Sequence, residues 1–194
     1  MIVLITGPSG AGKSSFISCL MEGNPRLAFS VSTTTRPMRE GETNGVDYDF
    51  VDQSVFDELV SDDAFVEWAR VHDNCYGTRR SRLDEMTGAG QIPVLDIDVQ
   101  GGVNVIDLFA SRLVSVFLFP PSWEELERRL HSRGTDSPEV IETRLKNARH
   151  EVGFAPRYRY WIVNDDLDAA VNRMKAVITA EDCRRESFRR SPLT

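Results

Sequence analysis

Residues 7–15 read GPSGAGKSS and follow directly on the apolar run MIVLIT at 1–6. Three glycines within six residues cost backbone entropy, so a turn that holds them must need them. Residues 7–14 satisfy the pattern G-x-x-x-x-G-K-[ST], placed after an apolar strand and before a segment with helical spacing, which is the context the pattern requires. In such a loop, here Gly7, Pro8, Ser9, Gly10, Ala11 and Gly12, the backbone N–H groups, which Pro8 alone lacks, turn inward around phosphate oxygens. Lys13 then reaches the β and γ phosphates, the helix beginning near Ser14 and Ser15 offers its positive end, and the Ser14 hydroxyl is a ligand for Mg²⁺. The loop by itself implies a nucleoside triphosphate and leaves the phosphate acceptor open.

Outward from the loop, further apolar runs recur at 92–98 (IPVLDID), 113–119 (LVSVFLF) and 160–164 (YWIVN). Near-continuous apolar runs mark strands covered on both faces, so a parallel sheet is expected. Helical spacing appears between them at 13–21, 103–109, 123–130, 138–151 and 167–188, with Ser122 and Pro138 as helix starts. Alternating strand and helix indicate an α/β fold, a phosphate-loop core with a parallel sheet flanked by helices. The polar, turn-rich region 32–84 breaks this rhythm and reads as an insertion with its own small sheet and a helix near 55–60.

The 194 residues suit one domain, and 23 Lys and Arg against 30 Asp and Glu leave a net charge of −7, which disfavours a nucleic acid partner. Three scattered cysteines, Cys19, Cys75 and Cys183, fit neither a disulfide framework nor a thiolate zinc site and suit a reducing, cytoplasmic setting. No apolar stretch approaches about 18 residues, so no membrane span is expected.

Two arginines three apart, Arg36 and Arg39, followed by Tyr48, could clamp a second phosphate by forked hydrogen bonds or could be solvated surface charges. Asp96 and Asp98, two apart at the end of an apolar run, share one face where α/β sheets bind ligands. Arg128, Arg129 and Arg149 read as a solvated helix face.

The ordered segments GPSGAGKSS, STTTRPMREGETNGVDYDFV, FVEWA, NCYGT, VLDIDVQG, RRLHSRGTDSPEVIETRL and IVNDDLDAA cover almost the whole chain and resemble guanylate kinase. The resemblance implies transfer of a phosphoryl group from ATP to GMP with Mg²⁺. By resemblance, Arg36, Arg39, Glu42, Tyr48 and Tyr76 belong to the GMP site, with Ser32, Glu67 and Thr78 on the guanine. The resemblance places Asp96 and Asp98 between that site and the metal, one of them reaching Mg²⁺ through water, with Asp98 taken as the metal residue beside Ser14. Arg133 and Arg144 are arms of a helical lid at 123–148 that closes over ATP, and Lys13 and Arg36 complete the catalytic set. The GMP lobe is expected at 32–84 and the core at 1–31, 85–122 and 149–194. The Glu67 assignment makes independent sense, because guanine offers N1–H and a 2-amino group side by side to the two oxygens of one carboxylate. Two rivals are a protein-binding module of the same fold and a kinase acting on a ribose phosphate. The first would have a degraded phosphate loop, and the second would not need the guanine-reading residues.

Overall fold

In this computed structural model residues 1–71, 73–109, 112–132 and 137–184 are described. His72, Arg133 and the basic tail beyond Arg184 fall outside them. In chain order the first half runs through β1 (Ile2–Thr6), α1 (Lys13–Glu22), β2 (Leu27–Phe29), β3 (Thr33–Thr34), β4 (Asp49–Phe50), α2 (Gln53–Ser61), β5 (Phe65–Val71), β6 (Asn74–Arg79) and α3 (Arg80–Gly88). The second half adds β7 (Ile92–Asp96), α4 (Val99–Phe109), β8 (Leu113–Phe119), α5 (Trp123–Ser132), α6 (Pro138–Val152), β9 (Tyr160–Val163) and α7 (Leu167–Asp182).

The apolar runs become a five-stranded sheet in the order β2-β7-β1-β8-β9, with every pairing parallel. Side-chain alternation divides each strand between two cores. Val3 and Ile5 of β1 join Val114, Val116 and Leu118 of β8 on the face covered by α1 and α7, where Phe16, Leu20, Met174 and Ile178 meet them. Ile2 and Leu4 point to the other face with Leu113, Phe117, Leu95 and Val105, under α3 and α4. Burial on both faces is why these strands are apolar throughout. Since β1 is central and its neighbours connect in opposite directions, the loop after it lies at the switch point where open α/β sheets bind ligands.

The second sheet, β4-β3-β6-β5, is mixed: β3 pairs parallel to β4 and antiparallel to β6. Its small core is Phe56 of α2 stacked on Phe65 of β5, with Cys75 buried beside them. Three elements depart from expectation. β2 is too short to show a period. α3 buries only Leu83 and Met86 and so has little apolar stripe. α4 begins a turn earlier than its apolar spacing suggests, running through Gly101 and Gly102, whose poor helix propensity hides the start.

Leu4 is fully buried in the middle of β1. Leu4→Ala should cost about 2–5 kcal/mol, read as a lower urea midpoint with an unchanged slope.

Candidate active site

The loop 7–12 leaves β1 and enters α1 with Gly10 at φ 93° and Gly12 at φ 89°, a left-handed conformation that L side chains avoid. A Cβ on Gly12 would also lie 2.5 Å from Nδ2 of Asn164. That amide donates to the Ala11 carbonyl at 2.8 Å, which fixes the outer turn of the loop. Lys13 donates from Nζ to the Gly7 carbonyl at 2.7 Å, so its ammonium already lies across the loop. Ser14 and Ser15 are exposed in the first turn of α1.

Arg129 corrects the reading of a solvated helix face. Its Nε donates to Glu125 at 2.8 Å, its Nη2 to the Asn164 carbonyl at 3.2 Å and its Nη1 toward the Ala11 carbonyl at 3.4 Å. It is therefore a brace on the phosphate loop. Arg128 is exposed and pairs with Glu125, while Arg149 is exposed over the Trp123 ring. Arg144 reaches the loop as well, with Nη1 at 3.4 Å from the Ser9 hydroxyl.

A cleft of about 400 Å³ opens beside the loop. Its walls include Gly7, Ser9 and Lys13 at one end, Ser32, Tyr48, Glu67 and Tyr76 at the other, and Asp96 and Asp98 between. A larger cavity of about 870 Å³ sits at the opposite, N-terminal ends of the strands; it is lined by Ile2, Ile92 and Val114 together with Arg26, Arg80 and Arg112, and no residue of the phosphate loop reaches it. The chemistry points to the smaller cleft.

Glu67 is 7% exposed, and Thr78 donates from Oγ1 to its Oε1 at 2.7 Å. Its other oxygen abuts the first turn of α4, where a Cβ on Gly101 would come within 2.5 Å of Oε2. Burial pushes the Glu67 carboxyl up to about 7, with the Thr78 bond pulling it down and the Asp98 charge adding to the rise. Burial likewise raises Asp96, against the pull of Lys13. Asp98 accepts the Gly101 N–H at 2.8 Å and so caps α4.

On the rim, Arg36 pairs with Glu42 at 2.6 Å, donates to the Pro37 carbonyl, and lies 5.3 Å from the Tyr48 ring centre. The other Glu42 oxygen accepts the Arg39 backbone N–H at 2.8 Å, so one carboxylate shapes the turn that carries both arginines. The Arg39 side chain is exposed. Tyr48 and Tyr76 meet edge to face at 5.9 Å. Sequence reading missed Asn164, Gly101 and Glu151, the last of which also lines the cleft. For Asn164 the available signal was its position just past an apolar strand, at the edge of the sheet that binds ligands. Gly101 could have been flagged as a glycine inside a helix, which usually has a packing reason.

A raised native acid costs stability once ionised. The penalty is absent below the unfolded value near 4.5, grows as pH rises, and is complete above about 7. The rise from 4.5 to about 7 amounts to on the order of 3 kcal/mol. Glu67→Gln should therefore flatten the fall in stability between pH 4.5 and 7.5 relative to the unsubstituted chain, as measured by urea unfolding; parallel curves would show that Glu67 is not buried charged.

The guanylate kinase family model matches residues 1–181. A guanylate kinase of Syntrophotalea carbinolica is 49% identical over 189 residues, 97% of this chain and 90% of that protein. The crystal structure of guanylate kinase from Anaplasma phagocytophilum superposes with a TM-score of 0.79 at 34% identity, covering 95% of this chain and 87% of that one. The SH3-kinase fragment of tight junction protein 3 shares the fold alone, with a TM-score of 0.51 at 12% identity over 94% of this chain and 58% of that one.

Proposed function

The chain belongs to the guanylate kinase family, and from that premise we propose that it transfers the γ-phosphoryl group of ATP to GMP, giving ADP and GDP, with the work divided among its residues as follows. The reading is supported above all by one observation, a single cleft with Lys13 at one end and the buried Glu67–Thr78 pair at the other.

ATP lies with its phosphates in the loop 7–15, under the loop N–H groups and the Lys13 ammonium. GMP lies across the small sheet, its phosphate between Arg36, Arg39, Tyr48 and Tyr76 and its base against Ser32, Glu67 and Thr78. Glu42 holds Arg36 and the Arg39 turn in place rather than meeting the nucleotide directly. A phosphate oxygen of GMP forms the new bond to the γ phosphorus while the bond from that phosphorus to the β–γ bridging oxygen breaks, the electron pair leaving with ADP. The attacking oxygen is already anionic, so no general base is needed, and catalysis consists of alignment and charge neutralisation. Lys13, Arg36, Arg144 and Arg133 supply the positive charge, the last two from a lid at 123–148 whose closure excludes water. The lobe at 32–84 swings inward with GMP against the core at 1–31, 85–122 and 149–194.

The residues suit a magnesium ion. The Ser14 hydroxyl is exposed at the start of α1, and the Asp98 carboxylate lines the same cleft as Lys13. No group of three or more His, Cys, Asp or Glu side chains able to hold a metal ion occurs among the described residues, and a small ligand set suits an ion held mainly by substrate phosphates and water. Bound there, Mg²⁺ would neutralise charge on the β and γ phosphates. Ser14 and Asp98 are the residues that would hold it.

Selection of the base rests on Glu67. Guanine offers it two donors, whereas adenine presents an acceptor at N1 and nothing at C2, and a buried polar site left without its partner can discriminate by about 10⁴. The protein-binding module is disfavoured by the intact phosphate loop, and the ribose-phosphate kinase by the buried Glu67–Thr78 pair.

Release of ADP from ATP and Mg²⁺, followed with GMP, AMP, CMP and UMP in turn, should show turnover with GMP and at most traces with the others. Lys13→Ala should lower kcat by on the order of 10³ with the fold retained by circular dichroism. Glu67→Gln should raise KM for GMP by on the order of 100-fold while KM for ATP stays within twofold. Equal turnover of AMP and GMP would overturn the assignment of Glu67.

A further inference from the structure

The cavity of about 870 Å³ at the N-terminal ends of the strands has no part in the transfer reaction. Its floor is apolar, made by Ile2, Leu83, Ile92 and Val114, each no more than 5% exposed. Its rim carries Arg26, Arg80, Arg112 and Arg184 against three acids, Asp84, Glu181 and Asp182. On a chain of net charge −7 that balance is a local reversal of sign.

The rim charges are unequally engaged. Asp182 is held by Arg26 at 2.9 Å, and Glu181 by Arg159 and Arg184 at 3.3 Å each. Arg112 is exposed and has no acid partner among the described residues. The acid beside Arg80 is Asp63, itself exposed and 3.5 Å away. Two guanidiniums therefore stand ready beside an apolar floor. The volume falls within the range of about 300–1,000 Å³ usual for ligand pockets, which pair such a lining with a few charged groups. Arginine suits a phosphate because its donors form a fork.

The cavity also reaches the strand that carries Glu67. Side chains alternate along β5, so Val66 lines the cavity while Glu67, the next residue, lines the cleft. Arg80 donates from Nη2 to the Phe65 carbonyl at 3.1 Å. The pairing of β5 with β6 shifts register between Phe65 and Glu67. A bulge interrupts the ladder, so the Arg80 side chain holds the β5 backbone where its neighbour strand does not.

We infer that this cavity is an effector site for an organic phosphate with a flat apolar body, whose binding draws Arg80 off the Phe65 carbonyl and so weakens the grip of Glu67 on GMP. The effect on GMP rests on the reading that Glu67 meets the guanine. The apolar body covers the floor, the phosphate takes the Arg80 fork, and Arg112 adds charge. A phosphate is the stronger acceptor for Arg80, since the Phe65 carbonyl is neutral. ATP binding is untouched, because no residue of the phosphate loop lines the cavity.

The probe is 1-naphthyl phosphate, titrated by calorimetry into the protein saturated with ADP, so that no turnover occurs. One site should bind it. Arg112→Ala should weaken that binding about tenfold, a usual loss for a contact to a charged group. Gly88 lines the cavity and a Cβ there would meet nothing within 4 Å, so Gly88→Trp fills the space without strain and should abolish binding. Both variants should fold by circular dichroism and keep kcat without the probe. In the unsubstituted enzyme the probe should raise KM for GMP to a plateau about tenfold higher, with KM for ATP unmoved, and GMP should weaken the probe by the same factor. Gly88→Trp should not respond. Absent binding, or equal binding in all three proteins, would overturn the site. A KM for GMP that stays constant, or that rises without a plateau because the probe sits in the GMP site, would overturn the effector role. The binding titration needs no turnover, so its failure differs from failure of the acceptor assignment, which would appear as absent GMP turnover without the probe.

Discussion

Glu67 sits where the two sheets meet, its carboxylate pressed between Thr78 of the small sheet and the first turn of the helix that leaves the large one. A carboxylate can be withdrawn from water only where enough polar contacts remain to hold it. Here one oxygen accepts the Thr78 hydroxyl, and the other faces Gly101 near the positive end of α4, which tolerates negative charge. The absence of a side chain at position 101 permits that approach. A methyl group there would lie 2.5 Å from Oε2 and 2.6 Å from the Ile97 side chain, so the carboxylate would have to shift. The register of β5 on β6, with Glu67 opposite Thr78, therefore has to be kept for the cleft to exist.

At the other end of the cleft the constraint is different. The phosphate loop contains backbone groups that must face a ligand, so they cannot be satisfied by regular structure, and the loop has to be held from outside. Asn164 and Arg129 hold its outer turn at Ala11, and α6 approaches it at Ser9. Lys13 meanwhile bonds the Gly7 carbonyl, an internal partner that a phosphate can replace without exposing a buried charge. On the small sheet, Glu42 lies below the usual carboxylate range because Arg36 and the Arg39 N–H bond it, and the Arg36 guanidinium stays against the Tyr48 and Phe50 rings.

The fold was largely legible because its information is local. Strands buried on both faces must be apolar, and the run LVSVFLF becomes β8 at Leu113–Phe119 without adjustment. The glycine pattern of the phosphate loop likewise encodes its own turn. What stayed hidden depends on contacts distant in sequence. Arg129 looks like any exposed helix arginine until α5 is laid against a loop 118 residues away. Gly101 reads as a weak point in a helix until Glu67 is brought beside it. Glu151 lies in a charged, helical stretch with no spacing to distinguish it from its neighbours. Chain positions such as Ser32, Tyr48, Tyr76, Asp96 and Asp98, by contrast, do converge on the one cleft.

The central claim is that the chain keeps the Glu67 carboxyl withdrawn from water, held by Thr78 alone, until a ligand brings it two further donors. Its most direct test is a titration of Glu67 by carbon-13 NMR, in the free protein and with GMP bound, using Glu67→Gln to assign the resonance. Free Glu67 should titrate near 7, and GMP should bring it below about 5, because hydrogen bonds to the charged form favour it. A free value near 4.5 that GMP leaves unmoved would contradict the account.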